Sequence, residues 1–361
     1  MTFGRGTALS DGRLDLCKQS IGPLGVKALL GALEGRGEIQ DLLLGTDGIG
    51  DEGAAALAEF VDRQDSLRTI YLGCNGIGPE GVEALVGAVG RSSRARGLWL
   101  KRNPLGVEGA RHVAGMLAGG RHRLEALDLV NTGLGDEGVC EVVEALGADD
   151  AIKHLFLGGN GAGVQSARAL ASLLRRTRRL ETLTLSVNGL GDEGAAILGE
   201  AAGGCGTLRV LSLASNGVGP QGAARFVAAM GDRGSLGSLD LGCAPSTRAL
   251  GGQPNRIGDV GAEAIAGWLR RDRSLRALDV HQNGVTSRGA WAIKEALAED
   301  NRTLERVVLG KGVARKIRRT LQGYLARNRR EGQGEAAAPE FWSRIQSVTR
   351  ALPPRDGGDR R

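Results

Sequence analysis

A chain of 361 residues with 60 glycines and only 11 aromatic side chains is poorly supplied for one large globular core. It suits many small, similar units filled by Leu, Ala, Val and Ile. The net charge of +6 sits at one end: residues 311–361 hold 13 Lys/Arg against 5 Asp/Glu, and the preceding 310 residues hold 34 against 36. A uniformly basic, nucleic-acid-binding surface is therefore not supported.

The first thirteen residues, MTFGRGTALSDGR, lack the apolar stretch of a signal peptide. No segment approaches the roughly 20 apolar residues of a membrane helix. A cytoplasmic protein is expected, and the Ala/Gly/Arg-rich usage points to a GC-rich bacterial genome. The cysteines (Cys17, Cys74, Cys140, Cys205, Cys243) are scattered and form no CxxC pair. Neither a zinc site nor a disulfide framework follows from them, and no metal or cofactor is expected.

The predicted elements then recur along the chain. Segments 67–89, 180–202 and 208–230 each read L-x-x-L-x-L-x-x-N-x-(I/L/V)-G-x-x-G-(A/V), followed by a helical stretch. The Asn position recurs at Ser20, Asp47, Asn75, Asn103, Thr132, Asn160, Asn188, Asn216, Asn255 and Asn283. The spacing is 27 to 29 residues except for one step of 39, which is a repeat plus an 11-residue insertion. Segment 304–309 begins an eleventh, incomplete unit. The L-x-L core predicts a short strand with its leucines inward. The following segment, such as 53–61, has the three- and four-residue apolar spacing of an amphipathic helix. Gly50, Gly78, Gly135, Gly191 and Gly219 mark the turn into it. The pairs Asp51-Glu52, Asp136-Glu137 and Asp192-Glu193 suit the positive end of the helix dipole. The Asn side chain is expected to satisfy turn backbone groups that would otherwise be buried unpaired.

This pattern resembles the leucine-rich repeats of ribonuclease inhibitor, of Ran GTPase activators and of the sensor ends of NOD-like receptors, over residues 14 to about 330. The resemblance implies an α/β solenoid, a horseshoe of about eleven 28-residue strand–helix units with a concave parallel β-sheet. Physical reasoning leads to the same shape. One unit cannot bury its own apolar face, so units stack. Strands stack about 4.8 Å apart while helices need about 10 Å, and the mismatch curves the sheet inward.

The residue between the two leucines should face solvent on the concave side. That column runs Asp15, Leu43, Tyr71, Trp99, Asp128, Phe156, Thr184, Ser212, Asp240, Asp279, Val308. Leu43, Tyr71, Trp99 and Phe156 form an apolar stretch with three aromatic rings, with Lys101 and Arg102 adding positive charge and Gly45, Gly73 and Gly158 beside it. The expectation is a protein- or peptide-binding groove; the competing reading is cross-strand pairing that stabilises the sheet. A second, polar cluster joins Asp240, Asp279 and His281, read as a rim for basic partner residues rather than as an acid/base unit. The insertion, 243–253, is expected to project from the rim where strands exit.

Beyond the repeats, Val313, Ile317, Leu321 and Leu325 predict a basic helix that caps the last unit, closing a solenoid domain at 1–330. Residues 331–338 read as a linker. In 339–361, Phe341, Trp342, Ile345 and Val348 fall at helical spacing and suggest a short docking helix, for a partner or for the chain itself, before a polar tail. At the other end, no N-terminal cap over the first unit is expected. No P-loop, G-x-S-x-G or HExxH motif is present. A non-catalytic binding scaffold is the leading reading, with no nucleic-acid partner. The alternative is a regulator of a partner enzyme such as a GTPase, for which Arg102 is the residue to test.

Overall fold

The computed structural model describes residues 7–8, 12–147, 150–231 and 234–332. In chain order the elements are β1 (Thr7–Ala8), β2 (Arg13–Asp15), α1 (Gly22–Leu33), β3 (Asp41–Leu43), α2 (Gly50–Arg63), β4 (Thr69–Tyr71), α3 (Pro79–Arg91) and β5 (Gly97–Trp99). Next come α4 (Gly106–Ala118), β6 (Ala126–Asp128), α5 (Gly135–Ala145), β7 (His154–Phe156), α6 (Val164–Arg176), β8 (Thr182–Thr184), α7 (Gly191–Gly204) and β9 (Val210–Ser212). The remainder are α8 (Pro220–Met230), β10 (Ser238–Asp240), α9 (Gly258–Leu269), β11 (Ala277–Val280), α10 (Ser287–Glu299), β12 (Arg306–Leu309) and α11 (Arg315–Glu331).

The strands form one sheet in sequence order, β1 to β12. From β2 onward every pair is parallel, and equivalent residues stand opposite one another, as in Ile70↔Leu98 and Leu98↔Leu127. Strict register means that one side of every strand faces the helices. Leu42, Leu44, Ile70, Leu72, Leu98 and Leu100 all join the helix residues in a single apolar core. The result is an open leucine-rich-repeat solenoid, as the periodicity predicted.

The asparagine ladder joins the units. Asn103 Oδ1 accepts from the backbone N–H of Asn75 (2.9 Å) and of Ile77 (3.1 Å), and Nδ2 donates to the carbonyls of Leu72 (2.9 Å) and Leu100 (2.8 Å). Asn188 and Asn255 repeat the pattern in full. Each such side chain therefore binds the preceding repeat as well as its own. Asp47 occupies the same position but has no N–H to give. Its Oδ1 accepts from Gln19 N (2.7 Å), while Oδ2 is buried without a partner. Burial pushes its pKa above the usual carboxylate range, against the pull of the backbone N–H groups of Gln19, Ser20 and Ile21.

The acidic residues at the helix starts do more than favour their own dipoles. Asp51 Oδ1 accepts from Gly78 N (2.6 Å) and Gly81 N (3.1 Å), so it caps the helix of the next repeat. Asp136 does the same for Gly163 N (2.7 Å) and Ser166 N (3.0 Å), Asp192 for Gly219 N (2.6 Å), and Asp259 for Thr286 N (2.8 Å) and Gly289 N (3.0 Å). The capped helices begin after an extended residue, as at Gly78, Gly163, Gly219 and Thr286. The others described, apart from α11, which begins at Arg315, start on a glycine at positive φ, such as Gly50 at 58° and Gly135 at 67°, which a side chain would strain. Burial alone would raise the Asp136 pKa. Hydrogen bonds from the Ser166 hydroxyl and the helix N–H groups outweigh it and hold the carboxyl below its ordinary value. Removing this cap by Asp136→Ala should lower stability by about 1–2 kcal/mol. Urea unfolding measures the loss, and amide exchange should quicken first at Gly163 and Ser166.

Two ends differ in their closure. The first strand was expected to be uncapped; instead β1 pairs antiparallel with β2, Thr7 opposite Asp15 and Ala8 opposite Leu14, and covers that edge. At the other end Val313, Ile317, Leu321 and Leu325 belong to the common core, and α11 packs on α10. Asn328, fully buried, donates to the carbonyls of Leu304 (2.8 Å) and Asn301 (3.4 Å). The segment 333–361, with Phe341, Trp342, Ile345 and Val348, lies outside the described residues.

Candidate partner-binding face

The sheet has a second face, opposite the helices. Period-two alternation places the central column there, and with it the residues two positions earlier: Asp41, Thr69, Gly97, Ala126, His154 and Thr182. Sequence reasoning stopped at the central column and the one after it. The earlier column is as legible, since i and i − 2 share a face.

From β3 to β9 the central column is buried, contrary to expectation, while Asp15, Asp240, Asp279 and Val308 towards its two ends are partly exposed. Leu43, Tyr71, Trp99, Asp128 and Phe156 are all 7 % exposed or less, and Trp99 not at all. The rings lie down on the sheet. A Cβ at Gly97 would sit 2.2 Å from Trp99 Cζ3, and one at Gly45 would sit 2.4 Å from Tyr71 Cε1. Gly45 was expected to admit a partner's backbone; the Tyr71 ring takes that room. Leu43, Tyr71, Trp99 and Phe156 nevertheless stay outside the strand–helix core. They form a separate apolar layer on the opposite face.

Charge is arranged around this layer. Lys101 is half-buried, with Nζ 5.3 Å from the centre of the Tyr71 ring. Arg102 is exposed, in a left-handed turn at φ 58°. Asp128 stands between Trp99 and Phe156 in register. Its Oδ1 accepts from Val130 N (2.9 Å). Complete burial raises its pKa to about 6, against the opposing pull of Lys101, the Val130 N–H and Arg102.

Three polar atoms of the same face are buried without partners: Asp41 Oδ1, Thr69 Oγ1 and Trp99 Nε1. Further along, His154 Nδ1 meets Thr182 Oγ1 at 3.0 Å.

In the C-terminal half the structure does bring Asp240, Asp279 and His281 together. Asp240 and Asp279 are register partners, and His281 Nδ1 lies 2.6 Å from Asp279 Oδ1. A chain of hydrogen bonds runs from Ser186 Oγ to Ser212 Oγ (2.8 Å) and on to Asp240 Oδ2 (2.8 Å). Burial raises the Asp240 pKa; hydrogen bonds from Gly242 N and Ser212 oppose it, as does His281, while Asp279 adds to it. The Ser212 hydroxyl is thus engaged by a carboxylate, not by His281. Among the described residues no group of three or more His, Cys, Asp or Glu could hold a metal ion. The Cys17 thiol is pushed up to about 12, chiefly by burial, which makes it a poor nucleophile.

The insertion does not project. It folds back along the rim. Ala244 N donates to Ser215 Oγ (2.9 Å), Ser215 Oγ meets Thr247 Oγ1 at 2.6 Å, and Gly217 N donates to Gln253 O (3.0 Å). Gly252 lies against Val187, and Leu250 reaches Gly159. The loop therefore crosses the exits of β7, β8 and β9, where Val187 and Ser215 hold positive φ. The contact is polar: the Ser215 hydroxyl meets both the Ala244 N–H and the Thr247 hydroxyl of the loop.

Stacked strand–helix units, a parallel sheet in strict register and an asparagine ladder define a leucine-rich-repeat fold. A family model described as Leucine Rich repeat matches residues 65–86, 204–227 and 255–266. A 66-residue stretch is 52 % identical to mouse centrosomal protein of 78 kDa and 48 % identical to its human counterpart. That stretch is 18 % of this chain and 8 % and 9 % of theirs, so the chain spans under a tenth of the length of these relatives. Among solved structures, the actin-binding site 2 of leiomodin-1 aligns at TM-score 0.35 and 20 % identity over 47 % of this chain and 88 % of its own. The tropomodulin C-terminal domain of Caenorhabditis elegans aligns at TM-score 0.35 and 16 % identity, over 51 % and 98 %. No helix among the described residues is long and apolar enough to cross a membrane.

Proposed function

We propose that this chain is a non-catalytic, cytoplasmic scaffold of the ribonuclease-inhibitor-like type, an adaptor, inhibitor or recognition module that binds a protein or peptide on the sheet face opposite its helices. The observation that carries the reading is the second apolar layer: Leu43, Tyr71, Trp99 and Phe156 are withdrawn from water, yet stand apart from the core that holds the fold together. Aromatic side chains gathered outside the core are the usual anchors of protein recognition. Desolvated polar atoms among them add directionality. Ser212 is committed to Asp240 and His281 Nδ1 to Asp279, an arrangement that suits a polar rim for basic partner residues.

The reading is tested by photo-crosslinking. A photoreactive amino acid is placed at position 184 or 279 on this face, and at 168 on the helix layer. In an extract of the source cells, a specific protein should be captured from 184 and 279 and not from 168, and excess unlabelled chain should compete it away. Capture from 168 alone would overturn the proposal.

A further inference from the structure

The two outer edges of the sheet are unlike. β1 closes the edge of β2, while β12 pairs with β11 and, among the described residues, with no strand on its other side. In the earlier joints the second leucine of the L-x-L core donates its N–H to the following strand, as Leu213 N does to Asp240 O (2.8 Å) and Leu241 N to Asp279 O (2.9 Å). Leu309 holds this position on β12, and Val307, two residues earlier, points its N–H and C=O the same way. Helix α11 stands in for a following repeat only at the ends of this edge. The Glu305 carbonyl, whose counterparts Arg209 O and Gly237 O take N–H groups from the next repeat, takes Arg329 Nη1 instead, at 2.6 Å. Arg318 reaches the carbonyls of Leu309 and Gly310. A guanidinium has only donors, so it serves those carbonyls but cannot serve the N–H groups of Val307 and Leu309.

N–H groups two residues apart on an extended strand call for carbonyls at the same spacing, which another extended main chain supplies. The side chains narrow the choice. Val307 and Leu309 pack on the core but stay half-buried, whereas their register partners Leu278 and Val280 are buried. An added strand with apolar residues at alternate positions would cover them. Charge selects the flanks and the occupant. α11 carries seven Lys/Arg and one acidic residue; Arg329 and Arg318 sit at the two ends of β12, and the exposed Lys311 lies just beyond the second. A second copy meeting this edge with its own would bring the same seven cations alongside, which like charge opposes. We propose that the edge of β12 takes a four-residue extended segment of a different protein as a thirteenth strand, apolar at alternate positions and flanked on both sides by Asp or Glu. This surface is separate from the face of Leu43, Tyr71, Trp99 and Phe156, and the proposal stands whether or not that face binds.

The probe is a synthetic peptide library with acidic residues on each side of a varied centre, screened against the full chain by fluorescence anisotropy. In the free chain the amides of Val307 and Leu309 should exchange at least about tenfold faster than that of Leu241, which is bonded to the next strand. A saturating peptide should slow both by about tenfold or more. Val307→Pro removes one outward N–H, a change that an edge strand tolerates, and should weaken binding about tenfold. Lys311→Glu, at an exposed position, should also weaken it about tenfold. A peptide with lysines in place of the acids on one flank should restore binding to the Lys311→Glu chain.

Protection of Val307 and Leu309 already in the free chain would overturn the proposal, because the edge is then taken; sedimentation tells a second copy from the chain's own residues. Wild-type affinity in both variants would overturn it, as would a library with no bound peptide. Equal binding by peptides with prolines at the centre would leave charge as the whole attraction. A mixed-sequence single-stranded oligonucleotide that binds more tightly than any peptide would make α11 a nucleic-acid surface. Either of these two results also sinks the added strand. None of these outcomes bears on crosslinking from positions 184 and 279, so the two readings fail separately.

Discussion

Replacing Asn103 with alanine is expected to lower the stability of the solenoid by about 4 kcal/mol. Asn103 is 1 % exposed and makes four hydrogen bonds, one within its own repeat and three to the preceding one. Alanine removes all four and leaves the N–H groups of Asn75 and Ile77 without a partner. The Leu72 carbonyl retains Asn75 Nδ2, at 2.9 Å, and so is spared. Each abandoned buried group costs about 1–3 kcal/mol, and a lost side-chain volume adds to that. Urea unfolding gives the total. Amide exchange gives the location, with Asn75 and Ile77 expected to lose protection before residues several repeats away, since repeats couple chiefly to neighbours. A loss below about 1 kcal/mol would mean that water replaces the side chain and that the ladder is not what joins the units.

The second large effect is expected at Asp128. In the folded chain its pKa lies at about 6, and in an unfolded chain near its ordinary 3.8. Between those values the folded state binds more proton than the unfolded one. Stability therefore falls as pH rises through the window from about 4 to about 6, by at most about 3 kcal/mol, and levels off above it. Asp65, Asp136 and Asp259 act in the opposite sense, because hydrogen bonds lower their pKa values despite partial burial. The comparison that isolates Asp128 is thus wild type minus Asp128→Asn at each pH. The variant should be the more stable at pH 7, and the advantage should shrink towards pH 4. Urea midpoints across that range measure it; a constant difference would place the titration elsewhere.

The fold was legible because a small polar side chain, most often Asn, recurs at a nearly constant step, and where it is Asn it joins two repeats. The face proposed for a partner was legible only as to side. Alternation says that Trp99 and Tyr71 leave the helix layer, but not that they lie flat. Flatness depends on room, and the room comes from Gly97 two positions before Trp99 and from Gly45 one repeat before Tyr71. The first of these is a local signal and could have been read. The second is a contact between repeats. Asp41 and Thr69 were readable by the same alternation but do not announce themselves, since a buried hydroxyl is an ordinary strand residue until its partner is found missing. The path of the insertion was out of reach. Its Gly, Pro and Ser content marks a loop, while its direction is set by Ser215, nearly thirty residues upstream. The acidic helix starts were read as serving their own helices; their true partners lie 27 to 30 residues ahead.

Those aspartates also settle how such a chain can be lengthened or trimmed. The repeat carrying Asp51 is matched to the one beginning at Gly78, that with Asp136 to Gly163, that with Asp192 to Gly219, and that with Asp259 to Thr286. Excising the α6 unit alone would set Asp136 against a glycine start that needs no cap, and would strand the joint on both sides. Excising α5 and α6 together would rejoin surfaces already suited to each other. For duplication, grafting or truncation, the interchangeable module of this solenoid is a pair of repeats, although its periodicity counts them singly.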